Sequence, residues 1–379
     1  MRPKVLYVAG ISGFMEPKNG GQIRTHQIIK QLCTEFEVDI FSPYLPTRLE
    51  SEGISITNNL CPRPLQRLLR WGGRRGFSRL IHGHLYRKGM RSSHPLSNGQ
   101  FYERSILEDV VTQRHHDYAF IFYDTSRYAP LSPSDAARSK SILIAHNVDS
   151  VLDPKSKFHP QFEKSLNQLF TAVIACTRQD SLRLQSSSPG INCIEWPNGT
   201  TRPAALESCT PSYDVLFVGA LDFKPNIEAA DYLVNHTWPL LKQRNLRLCI
   251  AGRNPSKELA ARITRAGISL KANAPELTSI YQSSKLAVVP LVTGSGSRLK
   301  IAEALIHGLP VISTPLGAEG YPIDQMGLTQ IPCYPPLAFV EAIEQDMKRL
   351  SSELKANIIQ NAKPFLWRNT IDLSLLPSC

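Results

Sequence analysis

The sequence has few cysteines and no long apolar run. Eight cysteines among 379 residues are too sparse for a disulfide scaffold, and no two of them form a CxxC pair with metal-ligand spacing. The strongly apolar runs, such as Ala287–Val292, are much shorter than the roughly 18 residues that a membrane-spanning helix requires. These absences exclude a disulfide-rich secreted domain and a protein with transmembrane helices, and we expect a cytoplasmic protein.

Several catalytic signatures are missing as well. The dinucleotide fingerprint GxGxxG is absent from Val8–Gly21, which argues against a hydride-transfer enzyme. The chain has no Walker loop, no HExxH and no GxSxG motif. It also lacks a DxD pair of carboxylates that could hold a divalent ion. We therefore expect chemistry that needs neither a metal ion nor a bound cofactor.

Acidic residues are absent between Glu52 and Glu103. The 43 lysines and arginines exceed the 32 acidic residues by 11, and nine of the cations lie in Pro62–Ser92. Because the excess is local, it predicts one surface for phosphate, anionic lipid or an acidic substrate. The aromatic residues among these cations are too few to favour nucleic-acid binding.

The basic segment has two interpretations. Its leucines recur at near-helical spacing, so it can form an amphipathic helix that lies on anionic lipid at the inner face of the membrane. Its arginines would then form a surface for the membrane or for an anionic acceptor, namely Arg67, Arg70, Arg74 and Arg75. Alternatively, the segment is an exposed helical insertion with ordinary core contacts.

The remaining sequence is that of a globular α/β protein. Apolar residues make up 42% and charged residues 20%, and the length predicts two or three domains of roughly 150 residues each. Short apolar strands alternate with helical patterns, which predicts parallel, doubly wound sheets. The predicted strands are Lys4–Ala9, Val38–Phe41, Tyr118–Tyr123, Ser141–Ala145, Tyr213–Gly219, Leu246–Ala251, Ile268–Ala272, Lys285–Leu291 and Val311–Thr314.

The alternation of strands and helices begins afresh at Tyr213. Thr200–Ser212, with two prolines and small polar residues, is the predicted hinge. We expect Rossmann-like domains over residues 1–205 and 206–363, facing a cleft between them. Ala338–Gln360 and Pro364–Leu376 are helical in pattern, and residues 364–379 could pack back on the first domain as a helix.

The loop Val292–Ser297 leads from a buried strand into a helix that carries Arg298, Lys300 and Glu303. A helix start has unpaired N–H donors and a positive dipole end, and the two cations add full charges, so this loop predicts a diphosphate site. Glu303 lies one turn later on the same face, where a carboxylate can accept hydrogen bonds from paired ribose hydroxyls. The alternative is a surface ion pair between Lys300 and Glu303.

Two further candidate sites lie next to predicted elements of the first half. His146, with Asn147 and Asp149 after it, comes directly after the Ser141–Ala145 strand, where α/β sheets bind ligands. The alternative for this group is helix capping beside a histidine that is already hydrogen-bonded. Gly20 and Gly21 precede the first long helix and would allow a ligand to approach the backbone.

These segments together resemble the GT-B glycosyltransferases of family 4, the group-1 glycosyl transferases. The second half carries VLFVGALDFKPNIEAADYL, LCIAGRNP and GSGSRLKIAEALIHGLPVISTPLGAEG, in the order and spacing of that family's donor domain. The first half adds NGGQIRTHQI, AHNVDS and WPNGT, which are similar to its glycine loop, its strand-end histidine and its entry to the hinge.

The resemblance implies roles for individual residues. Glu303 matches the second glutamate of the family's Ex7E motif, which holds the ribose. Arg298 and Lys300 match the positions that hold the diphosphate, Gly219 and Gly21 those where small residues meet the donor, and His146 the histidine on the transferred sugar. Ser295 departs from the motif, because the family often has a glutamate eight residues before Glu303.

The resemblance further implies transfer of a sugar from a nucleotide-diphosphate sugar to an acceptor hydroxyl. The donor would lie mostly on the second domain and the saccharide or lipid-linked acceptor on the first, with retention of the anomeric configuration and no metal. A cell-surface polysaccharide or glycolipid is the expected product. Two other hypotheses remain: a nucleotide-sugar 2-epimerase of the same fold, and a non-catalytic partner that binds a nucleotide sugar.

Overall fold

The computed structural model describes most of the chain as two compact units. The first unit comprises Met1–Trp196 with Ile371–Cys379, and the second comprises Pro197–Thr370. The described residues are 2–42, 50–51, 54–61, 101–130, 133–156, 158–201, 210–294, 298–322 and 327–377. The predicted domain boundaries, at 205/206 and 363/364, concern domains that fold separately, and they stay a prediction.

The first unit contains an eight-stranded sheet among the described residues, with the order β3-β4-β2-β1-β5-β6-β7-β8. The strands are β1 Lys4–Val8, β2 Glu37–Phe41, β3 Glu50–Ser51, β4 Ile54–Asn59, β5 Phe120–Tyr123, β6 Ser141–Ile144, β7 Ala172–Ala175 and β8 Asn192–Glu195. All neighbours are parallel except β3 and β4, which form an antiparallel pair at one edge. The central strands are buried on both faces and consist of continuous apolar runs, as parallel strands covered by helices require.

Helices connect the parallel strands of the first unit. They are α1 Gly20–Glu35, α2 Phe101–Arg114, α3 Asp135–Arg138, α4 Asp149–Leu152, α5 Phe158–Lys164, α6 Leu166–Leu169 and α7 Arg178–Ser187. Asn19 caps α1 by accepting a hydrogen bond from the Gln22 amide at 3.1 Å. This cap fixes where the glycine loop ends and the helix begins.

The second unit contains a six-stranded parallel sheet with the order β11-β10-β9-β12-β13-β14. Its strands are β9 Tyr213–Val218, β10 Leu248–Gly252, β11 Ser269–Ala272, β12 Ser284–Val289, β13 Val311–Ser313 and β14 Leu328–Gln330. Its helices are α8 Lys224–Tyr232, α9 Trp238–Gln243, α10 Lys257–Arg265, α11 Thr278–Gln282, α12 Leu299–Ile306, α13 Pro336–Lys348, α14 Ser352–Ala362 and α15 Trp367–Thr370. The buried faces of β9, β10 and β12 form the centre of the core together with α12.

The predicted class is confirmed, because each unit is a parallel sheet with connecting helices, and every predicted strand is present within about two residues at either end. Strands β3, β4, β7, β8 and β14 were not predicted. Each of these strands spans two to six residues, and a run this short cannot be told from a helix segment by periodicity alone.

The C-terminal part differs from the predicted pattern. The helical pattern over Ala338–Gln360 forms two helices, α13 and α14, rather than one. Ser351 ends the continuity, since its hydroxyl accepts a hydrogen bond from the Leu354 amide at 3.0 Å and so starts a new helix. Residues 364–376 form short turns and the four-residue α15 instead of a continuous helix.

No helix among the described residues is long and apolar enough to cross a membrane. The basic segment, including Arg67, Arg70, Arg74 and Arg75, lies outside the described residues. Most of the predicted hinge, residues 202–209, also lies outside them.

Candidate functional site

Lys300 lies in the first turn of α12, among groups that desolvate its ammonium group. Nζ donates a hydrogen bond to Asn226 Oδ1 at 2.7 Å and lies 4.6 Å from the centre of the Phe217 ring. Burial, and then the positive charge of Arg298, lower the pKa of Lys300 to about 7, although Glu303 acts in the opposite direction. An anion bound beside Lys300 would restore its full charge, so the position is suited to a phosphate.

Arg298 occupies the N-cap position of α12 and is 8% exposed. Its backbone carbonyl accepts a hydrogen bond from the Tyr321 hydroxyl at 2.9 Å, which fixes the start of the helix. Gly308 ends this helix with a φ of +76°, a conformation that glycine adopts without strain. The predicted start of the helix is confirmed, and the two cations lie at its positive end.

Gly219 follows β9 directly and packs against the same cluster. A Cβ atom at this position would lie 2.8 Å from Asn226 Cγ and 3.0 Å from Lys300 Nζ. Gly252, the last residue of β10, faces Gly219 even more closely, since its Cβ would lie 1.9 Å from the Gly219 carbonyl oxygen. The two glycines thus give the strand ends and the Lys300 side chain room to approach each other.

The Glu303 carboxylate is held from another element. The Tyr281 hydroxyl, at the end of α11, donates a hydrogen bond to Glu303 Oε2 at 2.8 Å. Burial raises the pKa of Glu303, while the hydrogen bond from Tyr281 and the charge of Lys300 oppose that rise. The alternative of a surface ion pair fails, because Lys300 is bonded to Asn226 and Glu303 to Tyr281.

His146 belongs to the first unit, just after β6, and its side chain is 14% exposed. Nε2 lies 2.6 Å from Oδ1 of Asp124, a fully buried carboxylate directly after β5. Thr25, in α1, donates its hydroxyl to the other oxygen, Oδ2, at 2.7 Å. Three elements therefore converge where β5 and β6 end, and they fix the orientation of the imidazole ring.

Asp149, three residues after His146, does not share the hydrogen-bond partner of the histidine. Asp149 begins α4 and accepts a hydrogen bond from the Ser126 hydroxyl at 3.0 Å, without capping the helix through its side chain. The histidine has a hydrogen-bond partner, as the alternative to a ligand site requires, yet it keeps an accessible edge. These observations leave its role as a prediction.

Gly20 and Gly21 are the first two residues of α1, whereas they were predicted to precede the helix. A Cβ atom at Gly21 would meet Ile11 Cδ1 at 3.4 Å and Asn19 Oδ1 at 3.5 Å, which are ordinary contact distances. The packing of the first unit therefore does not require glycine at this position. Ser295, where the resemblance expects a glutamate, lies outside the described residues.

Sequence reasoning missed Asn226, Tyr281 and Asp124. Each of them bonds to a predicted site residue that is 22 to 74 positions away in the chain. The only sequence signal for two of these residues was their position in the chain. Asp124 directly follows a predicted strand, and Asn226 lies in the first turn of a helix after the hinge. In the part of the chain that the structure describes, no group of three or more His, Cys, Asp or Glu side chains could hold a metal ion.

Comparison with known proteins finds matches in the second unit and over a larger part of the chain. Residues 212–349 match the family model described as glycosyl transferases group 1. A curated relative is the uncharacterised 44.6 kDa protein in the cps region of Klebsiella pneumoniae, which is 24% identical over 252 residues. The alignment covers 58% of this chain and only 63% of that relative.

Solved structures resemble nearly the whole chain. A sucrose-phosphate synthase from Thermosynechococcus elongatus has a TM-score of 0.66 at 15% identity, covering 97% of this chain and 96% of its own. HepE from Anabaena, in complex with UDP and glucose, has a TM-score of 0.65 at 16% identity, covering 97% of both chains. A glycosyltransferase from Rickettsia africae has a TM-score of 0.63 at 14% identity, covering 99% of this chain and 95% of its own.

At these identities the solved structures show the fold. The two Rossmann-like units are those of GT-B glycosyltransferase structures, as predicted. The match to the model described as glycosyl transferases group 1 thus lies in the second of two units that have the GT-B fold.

Proposed function

We propose that this protein is a hexosyltransferase of glycosyltransferase family 4, which moves a sugar from a nucleotide-diphosphate donor to an acceptor hydroxyl. The matched domain and the fold support the reaction class. The observation that carries the proposal is the environment of Lys300. Its ammonium group is crowded by Arg298 and desolvated at a helix start, an arrangement that a bound diphosphate would stabilise.

The donor would lie on the second unit. Arg298, Lys300 and the first amides of α12 would hold the diphosphate, and Gly219 would let it approach the end of β9. Glu303 would accept hydrogen bonds from the ribose. From the first unit, Gly21 would meet the phosphates, and a nucleotide with a uracil base is the first donor to test, since HepE binds UDP.

The mechanism follows from the charge that develops on the leaving group. As the bond between sugar and phosphate breaks, the diphosphate gains negative charge, and Arg298 and Lys300 stabilise that charge more in the transition state than in the ground state. We propose that these two cations replace a divalent metal ion. The departing phosphate would accept the acceptor proton on the same face, which retains the anomeric configuration.

His146 would contact the transferred sugar. Because Asp124 fixes the orientation of the ring through Nε2, the rest of the imidazole would be available to a sugar hydroxyl. The acceptor would be a saccharide or a lipid-linked molecule, and the product a cell-surface polysaccharide or glycolipid. A position at the inner face of the membrane would depend on the basic segment that carries Arg67, Arg70, Arg74 and Arg75.

Replacing Lys300 tests the proposal. Lys300→Ala should lower turnover by about 10²-fold, because it removes one electrostatic donor to the leaving group. The matched control is Lys348→Ala, since Lys348 is an exposed lysine in α13 of the same unit. Initial rates are measured with UDP-, GDP-, ADP- and CMP-linked sugars, after thermal-shift screening has identified the donor that raises the melting temperature.

Four results decide the outcome. Transfer should persist in excess EDTA, and a reaction that stops until Mg²⁺ or Mn²⁺ is added would refute the metal-independent mechanism. Conversion of the donor sugar without any acceptor would favour the epimerase, and binding without transfer to a broad acceptor panel would favour the non-catalytic partner. An unchanged rate in Lys300→Ala would remove Lys300 from the mechanism.

A further inference from the structure

Tyr281 is a buried phenol that serves no purpose in the proposed chemistry. Its side chain is 1% exposed, and its hydroxyl makes a single described hydrogen bond, to Glu303 Oε2. Burial, and then the Glu303 charge, hold the pKa of Tyr281 well above its usual range. The phenol therefore stays protonated at neutral pH, and its hydroxyl donates to the carboxylate.

The imidazole of His307 packs against the face of the Tyr281 ring. The two rings stack with their centres 4.9 Å apart and an angle of 18° between their planes. His307 Nδ1 donates to the Glu303 carbonyl at 2.6 Å, and Nε2 has no hydrogen-bond partner among the described residues. Burial lowers the pKa of His307, so the stacked imidazole is neutral and bears its proton on Nδ1.

These contacts form a closed ring of interactions. The Glu303 carbonyl is hydrogen-bonded to His307, and the imidazole of His307 stacks on the phenol of Tyr281. The Tyr281 hydroxyl in turn donates to the Glu303 carboxylate. Such a ring restricts the rotation of the carboxylate, because Oε2 is fixed at one place. Oε1 then keeps one orientation relative to α12.

We infer that Tyr281 is a positioning residue that orients Glu303 for the paired hydroxyls of a ribonucleotide, and that this contact makes the site select ribonucleotides over 2′-deoxyribonucleotides. The inference rests on the proposed function of Glu303. It goes beyond that function because the discrimination is assigned to a residue that does not touch the donor. Removing the hydrogen-bond partner of a metal-ligating side chain typically costs about 10- to 100-fold in affinity, and we expect an effect at the lower end of that range here.

The test is the variant Tyr281→Phe, which keeps the ring that stacks on His307 and loses only the hydroxyl. Dissociation constants are measured by calorimetry for UDP, GDP, ADP and CDP and for the four 2′-deoxy counterparts. For the nucleotide that the wild type binds, the variant should bind the ribonucleotide about tenfold more weakly. Binding of the 2′-deoxy form should change by less than about twofold, since one of its two hydroxyls is already missing.

Tyr232→Phe is the matched control. Tyr232 is a buried tyrosine of the same unit, and its hydroxyl donates to the Cys333 carbonyl, away from Glu303. This control should lower stability without changing the ratio of ribonucleotide to deoxyribonucleotide affinity. In addition, Tyr281→Phe should cause no further loss of binding in a Glu303→Ala background, because Tyr281 acts only through Glu303.

The possible failures are distinct. If no nucleotide binds the wild type, the proposed function and this inference both fall. If the nucleotide binds and Glu303→Ala weakens it while Tyr281→Phe leaves the ribose selectivity intact, only the inference is overturned. An equal loss for ribo and deoxy forms, or an additive loss in the double variant, also overturns it, since either result indicates a general structural role.

Discussion

At the scale of single residues, Gly21 is notable because the fold leaves space beside it. An added methyl group would meet its neighbours at 3.4 and 3.5 Å, and alanine is a better helix former than glycine. Gly21→Ala should therefore leave the melting temperature unchanged or raise it. If the first turn of α1 meets the donor phosphates, as proposed, the same variant should weaken donor binding by about tenfold, which titration calorimetry can measure.

Gly10→Ala provides the contrast. A Cβ atom at Gly10 would lie 2.4 Å from Thr125 Oγ1, so this variant should unfold at a lower temperature for reasons of packing alone. If Gly21→Ala binds the donor as tightly as the wild type, the first turn of α1 is not part of the binding site. A fall in the stability of Gly21→Ala would mean that the glycine serves the fold instead.

The sequence could predict the residues that share one short segment. Arg298, Lys300 and Glu303 lie within six positions, so helix geometry alone brings them to one end and one face. It could not predict that Asn226 and Tyr281 would complete the group, because the packing of α8, α11 and α12 around the sheet determines those contacts. Asp124 was missed for the same reason, since it meets His146 only when β5 and β6 are neighbours.

At the scale of elements, Asp214 links three neighbouring strands of the second unit. It is the second residue of β9, and it accepts hydrogen bonds from the backbone and side chain of Arg247, just before β10. A carboxylate oxygen of Asp214 also lies 2.8 Å from Lys285 Nζ in β12. Burial alone would raise the pKa of Asp214, but these partners outweigh burial and lower the pKa to about 2. The carboxylate therefore stabilises the sheet while it is ionised.

The pH dependence has a definite sign. Because the folded pKa lies below the ordinary value of 3.8, the contribution is complete above about pH 4 and disappears as the pH falls towards 2. Asp214→Asn should lower the free energy of unfolding of the second unit by on the order of 2 kcal/mol at pH 7. The difference from the wild type should shrink between pH 4 and pH 2, as measured by urea unfolding across that range.

Asp231→Asn is the control for this prediction. Asp231 pairs with Arg262 in the same unit, but both side chains are partly exposed, at 34% and 46%. Exposed pairs contribute about 0–1 kcal/mol, so this variant should unfold nearly as the wild type does. Equal effects of the two variants, or an Asp214→Asn effect that persists at pH 2, would contradict the assigned role of Asp214.

The boundary between α13 and α14 could not be predicted from apolar periodicity. The apolar spacing over Ala338–Gln360 continues through residues 349–351, and so the pattern predicts one helix. The break depends on the Ser351 cap and on the Arg349 amide, which bonds to the Asp346 carbonyl at 3.1 Å. Such local competition between a cap and a continued helix is not visible in hydrophobic periodicity.

At the scale of the whole molecule, the alternation of strands and helices was sufficient to predict two Rossmann-like units. Buried parallel strands are continuous apolar runs, and these runs are the strongest signal in the sequence. The antiparallel edge formed by β3 and β4 was not predicted, since β3 has only two residues and β4 alternates between buried and exposed positions. Edge strands carry weaker patterns because one side faces solvent.

The segment 371–379 offers a test of how the first unit is completed. Ile371 is 3% exposed and belongs to that unit, and the indole nitrogen of Trp196 donates to the Asp372 carbonyl at 3.1 Å. Ile371→Ala should lower the free energy of unfolding of the first unit by about 2–4 kcal/mol through lost burial and a residual cavity. Scanning calorimetry should show this loss in the transition of the first unit.

Leu375→Ala is the matched control, because Leu375 lies four residues later and is 50% exposed. Its effect should stay within about 0.5 kcal/mol. If Ile371→Ala were equally mild, the segment would contribute little to the unit in solution. If the loss appeared in the transition of the second unit, the division of the chain would need to be redrawn.

The return of residues 371–379 to the first unit has a consequence for biosynthesis. A ribosome makes the N-terminal sheet early, yet the piece that completes its unit emerges only after the entire second unit has been translated. Folding during synthesis therefore cannot finish in the order of the chain. A gene fragment that stops before Ile371 would yield an N-terminal product lacking a buried isoleucine and the carbonyl partner of Trp196, so fusing residues 371–379 to it is the way to express that unit alone.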